Sequence, residues 1–194
     1  MFPELLQARL AGILDLAPDQ VSALASHYQL LLHWNRKLNL TRIESLEEAV
    51  ERHYCESLFL AAHLPPRGVR IADIGSGAGF PGFPVAIARP DCEVSLIESH
   101  QRKAVFLREA TRGRSNLRIL PVRAEAVKDQ FDVAISRAVR YEDLAAPLKS
   151  LAQSTDLLTG AEEPPGAWAF SWQSIPLPWG HRRYLRIGIR GAGL

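Results

Sequence analysis

The residues Asp73 to Gly82, DIGSGAGFPG, carry the densest chemical signal in the chain. Gly75, Gly77 and Gly79 recur at every second position, with Asp73 two residues ahead of the first. The apolar run Val69-Arg70-Ile71-Ala72 before them reads as a buried strand. A strand that empties into such a loop presents bare backbone to a ligand. A Cβ at those glycines would hold the ligand off or forbid the backbone dihedrals. Glu98 closes the next apolar run, Glu93 to Ile97, nineteen residues after Gly79. An acid at the tip of a second strand, about 20 residues on, is placed to bind a ribose diol. Asp73, below the loop, is expected to accept hydrogen bonds from the loop's N–H groups and tighten the turn.

These residues need a scaffold, and the rest of the chain supplies one. Residues 1–64 read as helical. Val21, Leu24, Tyr28, Leu31 and Leu32 follow helical spacing after Pro18-Asp19, and a second helix begins at Ser45 with Glu48 as its capping-box partner. Leu46, Val50, Tyr54, Leu58 and Ala61 continue its stripe until Pro65-Pro66 ends it. Strand-like runs then fall at 69–74, 93–98, 117–121 and 131–136, alternating with helical segments at 82–89, 100–112 and 141–152. Residues 154–166 read as a loop, and Trp168 to Trp172 and Tyr184 to Ile189 as two final strands. The expected fold is α/β: a mostly parallel, doubly wound, Rossmann-like sheet over 67–194 with a helical extension over 1–66. Ligands of such sheets sit beyond the carboxyl ends of the strands. Asp73, Glu98, Glu125 and Arg137 are expected to converge there.

Apolar residues make up 47% of the 194, enough for a core without disulfides, and Cys55 and Cys92 have neither metal nor redox spacing. No leader pattern and no apolar run approaching 18 residues is found, so the reading is a soluble, cytoplasmic protein with no membrane partner and no metal. The net charge of +2 does not announce a nucleic-acid partner, although 19 of the 23 basic residues are arginine, whose planar fork suits phosphate and base edges. A compositional bias toward arginine explains that count equally well.

The string G-A-G-F-P-G from Gly77 also satisfies the dinucleotide pattern G-x-G-x-x-G, so the glycines alone leave a nicotinamide-dependent oxidoreductase open. A P-loop is excluded, because no Gly-Lys-Ser/Thr follows. Taken with Ile97-Glu98-Ser99, RAEAV at Arg123 to Val127 and FDVAISRAV at Phe131 to Val139, the loop resembles a class I S-adenosylmethionine-dependent methyltransferase. More narrowly, with WNRKLNLTRI (Trp34 to Ile43) and RHYCESL (Arg52 to Leu58), the chain resembles the bacterial 16S rRNA (guanine-N7) methyltransferase G family, once called glucose-inhibited division protein B. The resemblance covers about residues 20–150. The stretch after Leu151 departs from the family pattern.

The resemblance implies transfer of a methyl group from S-adenosylmethionine to N7 of a guanosine in 16S rRNA of the small ribosomal subunit, by a monomer. Asp73, Gly75, Ser76, Gly77, Gly79, Phe80, Glu98, Ala124, Glu125 and Arg137 are then the cofactor-site candidates, with Ala124 and Glu125 at the adenine. Arg137, Arg123 and Asn39 are the candidates for activity or RNA contact, together with Arg182 or Arg183. Guanine N7 carries a lone pair and no proton, so attack on the methyl needs positioning and exclusion of water, not a general base. Ile135-Ser136-Arg137-Ala138 stands where amino-group methyltransferases carry Asn or Asp before Pro-Pro, which speaks against an amino-group target and is compatible with a ring nitrogen. His53 is read as a packed residue, and Trp168, Trp172 and Trp179 as core before base platforms. A small-molecule methyltransferase and a non-catalytic cofactor-binding homologue are the alternatives on the same fold.

Overall fold

The computed structural model of the protein describes residues 1–191. Helix α1 (Phe2–Leu10) leads into α2 (Pro18–Leu38), whose start is fixed by Pro18 at its first position and by the Ala17 N–H donating to the Gln20 side chain at 2.8 Å. It ends at Asn39, which takes the left-handed conformation (φ 49°) that Asn tolerates at a helix C-terminus. Ser45 caps α3 (Leu46–Ala49) by accepting from the Glu48 N–H at 3.1 Å.

The expected single α-helix from Ser45 to Ala61 is interrupted. Val50–Cys55 winds as a π-helix before α4 (Glu56–His63). The wider turn carries every residue from His53 to Ala61 inside the protein, polar His53, Glu56 and Ser57 among them. π-Turns of this kind concentrate at functional sites. No residue in VERHYC announces one.

Seven strands among the described residues form one sheet: β1 (Arg70–Ile74), β2 (Glu93–Ile97), β3 (Leu117–Leu120), β4 (Phe131–Arg137), β5 (Ala152–Thr159), β6 (Phe170–Pro176) and β7 (Tyr184–Arg190), in the order β3-β2-β1-β4-β5-β7-β6. β1 to β5 are parallel, and β7 runs antiparallel between β5 and β6. Helices α5 (Gly82–Ala88), α6 (Gln101–Ala110) and α7 (Tyr141–Leu151) make the crossovers. The strand order reverses between β1 and β4, which opens a crevice there. Register sets Ile74 opposite Ile97 and Ser136, and Ile97 opposite Leu120, so the chain leaves these four strands along one rim.

Part of the expected loop at 154–166 is strand β5. Its sequence, AQSTDLLT, has a polar first half, yet the backbone is paired on both sides by β4 and β7, and pairing overrides the composition. Asp156 is buried in that strand, and burial alone lifts its carboxyl to about 7. Because the folded value lies above the ordinary 3.8, the native state holds this proton longer than the unfolded chain does. The resulting stability is complete below about pH 4 and disappears as pH rises to about 7. Asp156→Asn is therefore expected to match wild type in melting temperature at pH 4 and to exceed it at pH 8. A constant offset at all pH values would contradict this assignment.

Helices and sheet share one continuous core, in which Leu6, Leu24 and Leu58 pack with Ile71, Phe83 and Leu96. A second cluster on the other face joins Ala134, Leu148 and Leu157 to Trp168. Of the tryptophans weighed as base platforms, Trp168 is buried and Trp172 lies over Gly188, where a Cβ would sit 2.7 Å from its ring. Trp179 packs edge-on against Phe59 at 6.2 Å.

Candidate functional site

The glycine loop is held from three directions. From below, Asp73 lies within β1, fully buried; its Oδ2 accepts the Gly82 N–H at 3.0 Å and its Oδ1 has no partner among the described residues. Burial raises this carboxyl to about 7, against the pull of the loop's hydrogen bonds and of Arg137. It lines neither cavity described below. Gly82 is needed beside it, since a Cβ would lie 2.5 Å from Asp73 Oδ2 and from Leu96 Cδ2. From the side, the Gly75 and Ser76 N–H groups donate to the Ile97 carbonyl at 3.0 and 3.1 Å. The Ser76 hydroxyl donates to the Asp73 carbonyl at 3.0 Å.

From above, α2 reaches the loop through His27. Its Nε2–H donates to the Ala78 carbonyl at 3.1 Å, which leaves Nδ1 to accept from the Tyr54 hydroxyl at 2.8 Å. The imidazole stacks on Phe83 at 4.2 Å, and burial presses its pKa down to about 3, so the tether is neutral in any physiological buffer. His27 has no motif around it that sequence reasoning could have used.

Along the rim, Glu98 turns its carboxylate to the loop. Oε2 accepts the Gly77 N–H at 2.9 Å and Oε1 the His100 N–H at 2.7 Å. An ionised carboxylate offers about four acceptor sites. The two that remain suit the two hydroxyls of a ribose. A cavity of about 330 Å³ opens beside it, lined by Gly75, Glu98, Arg123, Ala124, Glu125 and Val139. Arg123 opens the short 3₁₀ turn Ala124–Ala126, so the segment after β3 forms the far wall. Gly75 borders this cavity with φ +73°, and a Cβ there would come within 2.6 Å of Val139 Cγ2. The bare backbone keeps the gap between the loops after β1 and β4 open.

Val139 and Arg140 also line a second cavity of about 420 Å³, so the two adjoin end to end. The second is walled by Arg52, His53, Arg137, Tyr141 and Arg183, with Ile43 at its edge. Arg137, the last residue of β4, sets its guanidinium over the Phe80 ring at 5.1 Å and donates to the Arg52 carbonyl. Burial lowers its pKa to about 10, which leaves it charged at neutral pH. Phe80 is buried, with the His53 ring stacked on it at 4.5 Å and the Tyr54 and His27 rings edge-on at 5.1 and 5.3 Å. His53 Nε2 lies 2.8 Å from the Thr41 hydroxyl, while Nδ1 is buried without a partner among the described residues. Burial, and then Arg137, drive its pKa down to about 2.

The structure thus brings Gly75, Glu98, Arg123, Ala124, Glu125 and Arg137 around two adjoining cavities. Asp73, Ser76, Gly77, Gly79 and Phe80 shape the loop without lining either one. Gly79 keeps φ +89° against Phe83 and His27. Asn39 is exposed and lines a third cavity, of about 720 Å³, which shares only Ile43 with the second. Arg52 and His53 belong to the wall although neither was a site candidate, and of the pair Arg182 or Arg183 it is Arg183 that lines it. The RHYCESL string was the available signal for the first two.

The model for rRNA small subunit methyltransferase G matches residues 20–158. The chain is 41% identical over 139 residues to ribosomal RNA small subunit methyltransferase G of Chromobacterium violaceum, an alignment that covers 70% of this chain and 66% of the relative. It is 41% identical over 121 residues to the protein of the same name from Nitrosomonas europaea, covering 60% and 56%. The chain thus spans about half to two thirds of the length of these relatives. Among solved structures it resembles magnesium protoporphyrin IX methyltransferase from Synechocystis with bound SAM (TM-score 0.62, 11% identity, 85% and 97% covered). It also resembles a SAM-dependent methyltransferase from Aquifex aeolicus (TM-score 0.58, 14% identity, 73% and 93% covered). The fold is that of the Rossmann-like class I methyltransferases, and the chain belongs to the rRNA small subunit methyltransferase G family.

Proposed function

We propose that the protein transfers a methyl group from S-adenosylmethionine to N7 of a guanosine in 16S rRNA of the small ribosomal subunit, as a cytoplasmic monomer. The observation that carries this reading is the pair of adjoining cavities, one beside the Glu98 carboxylate and the other walled by arginines, meeting at Val139 beside Gly75. Glu98 would take the ribose diol, and Ala124 and Glu125 the adenine. The loop from Gly75 to Gly79 would give passage to the methionine end. Bound there, S-adenosylmethionine supplies a methyl group already activated on a sulfonium.

The chain's own residues then need only bind, orient and dry the site. The guanine N7 lone pair forms the new bond as the carbon–sulfur bond breaks toward sulfur, and no proton is released. The second cavity agrees with that requirement. His53 stays unprotonated and walled in, and Arg137, charged at neutral pH, is a donor and not a base. Arg137 can present N–H groups to the O6 edge of guanine, beside the attacking N7.

Glu98→Gln removes the charge and half of the acceptor capacity. The dissociation constant for S-adenosylhomocysteine, measured by calorimetry, is expected to rise about 30-fold, in line with about 2 kcal/mol for hydrogen bonds to a charged acceptor. The reading as a whole is tested by incubating purified protein with unmodified small subunits and radiolabelled S-adenosylmethionine, then analysing nucleosides. 7-Methylguanosine at a single 16S position is expected. Cofactor binding with no turnover on subunits or naked rRNA would identify a non-catalytic homologue.

A further inference from the structure

The glycine loop is soft at one peptide. Ala78 stands between Gly77 (φ +57°) and Gly79 (φ +89°), and neither glycine resists rotation of the peptide beside it. The Ala78–Gly79 peptide is nonetheless held at both ends. Its N–H, on Gly79, donates to the Ser76 carbonyl at 2.7 Å, a bond made inside the loop that travels with it. Its carbonyl accepts from His27 Nε2 at 3.1 Å, and His27 comes from α2, 51 positions away. Ala78 is buried, so a carbonyl that lost this donor would stand unpaired in an apolar wall.

His27 is itself fixed. The Tyr54 hydroxyl donates to Nδ1 at 2.8 Å, which keeps the single ring proton on Nε2, the atom that meets Ala78. Phe83 stacks on the ring, and Phe80 and Phe106 meet it edge-on at 5.3 and 5.8 Å. A phenyl ring would satisfy all of these aromatic contacts, so packing does not account for the two nitrogens. On the other side of Ala78, the Gly77 N–H donates to Glu98 Oε2 at 2.9 Å. The loop is thus clamped on both sides of one residue, by the acid of the rim and by the imidazole of α2. A turn of the Ala78–Gly79 peptide would pass through Gly77 to that carboxylate.

We infer that His27 is a positioning residue for the cofactor: by holding the Ala78 carbonyl it keeps the glycine loop, and through Gly77 the Glu98 carboxylate, in one arrangement. The inference rests on the reading that the cofactor lies along this loop. The Tyr54 hydroxyl, carried inward on the π-turn, sets the tautomer that makes the hold possible.

The test uses the full-length chain with His27→Gln and His27→Asn. The amide nitrogen of glutamine stands where Nε2 stands, and the amide oxygen of asparagine where Nδ1 stands. Glutamine therefore keeps a donor for Ala78 and loses the acceptor for Tyr54, while asparagine does the reverse. Both lose the ring, so both are expected to lower the melting temperature by similar amounts. Their dissociation constants for S-adenosylhomocysteine, measured by calorimetry, are expected to part. Glutamine should stay within about threefold of wild type and asparagine should bind about tenfold more weakly, the loss of one buried hydrogen bond. In the unliganded protein, amide exchange at Gly77 should quicken about tenfold in the asparagine variant and stay close to wild type in the glutamine variant, a loosening of the loop read with no ligand present.

Equal affinities in the two variants, whether both fall or neither does, would reduce His27 to packing and overturn the inference. Faster Gly77 exchange in the asparagine variant with no loss of affinity would overturn it as well. The wild type supplies a check that needs no variant to fold. Nitrogen-15 shifts of the His27 ring are expected to place its proton on Nε2, and a proton on Nδ1 would leave Ala78 without a donor and overturn the inference. Glu98→Gln in the same titration judges the ribose placement separately. Unchanged affinity there rejects that placement, while the contrast between glutamine and asparagine still upholds or rejects the hold on the loop. A wild type that does not bind S-adenosylhomocysteine rejects both.

Discussion

Gly75→Val is expected to weaken S-adenosylhomocysteine binding by at least about 100-fold. Two separate effects act in the same direction. Gly75 has φ +73°, where a β-branched residue is strained, and its new Cβ would arrive 2.6 Å from Val139 Cγ2. Either Val139 or the loop must move, and both border the gap between the two cavities. Gly77→Ala separates strain from obstruction. Gly77 also has positive φ, +57°, but the nearest atom to a Cβ there is the Gly75 carbonyl oxygen at 3.9 Å. Its cost is the left-handed backbone alone, about 1–2 kcal/mol, or roughly a tenfold loss of affinity. Calorimetric titration of the two variants checks the contrast. Equal losses would mean that the opening beside Val139 is not where the cofactor passes.

Arg137→Ala is expected to lower single-turnover methyl transfer to small subunits by about 10²–10³, the range found when one preorganised donor is removed from a reacting site. The guanidinium is fixed by Phe80 beneath it and by the Arg52 carbonyl at its tip, so alanine deletes a donor that has no other conformation to pay for. Arg137→Lys keeps a charge but loses the flat contact with Phe80, and is expected to recover less than a tenth of the activity. Cofactor affinity should change by only a few fold in both. A loss confined to cofactor affinity would move Arg137 from the acceptor to the cofactor.

Much of this site was legible because it is local. DIGSGAGFPG is contiguous, Glu98 lies one βα unit beyond it, and alternating strands and helices put their tips on a single rim. Register bears this out, with Ile74, Ile97, Leu120 and Ser136 leaving the sheet together. Asp73 was legible as the acceptor that holds the loop from beneath, through the Gly82 N–H, but it sits inside β1 and lines neither cavity. What stayed hidden depends on distance in sequence or on winding. β5 has the composition of a loop and becomes a strand through its two neighbours. The π-turn shifts His53 and Glu56 inward without a distinctive residue. His27 finds Ala78 across 51 positions, and Glu56 finds Arg183 across 127, separations that no motif spans.

The most direct measurement is a crystal structure with S-adenosylhomocysteine bound. The account predicts ribose hydroxyls on the Glu98 carboxylate, adenine against Ala124 and the sulfur beside Gly75 and Val139, facing the cavity walled by Arg137 and Arg183. Ligand density elsewhere, with the rim from Glu98 to Val139 left empty, would contradict it.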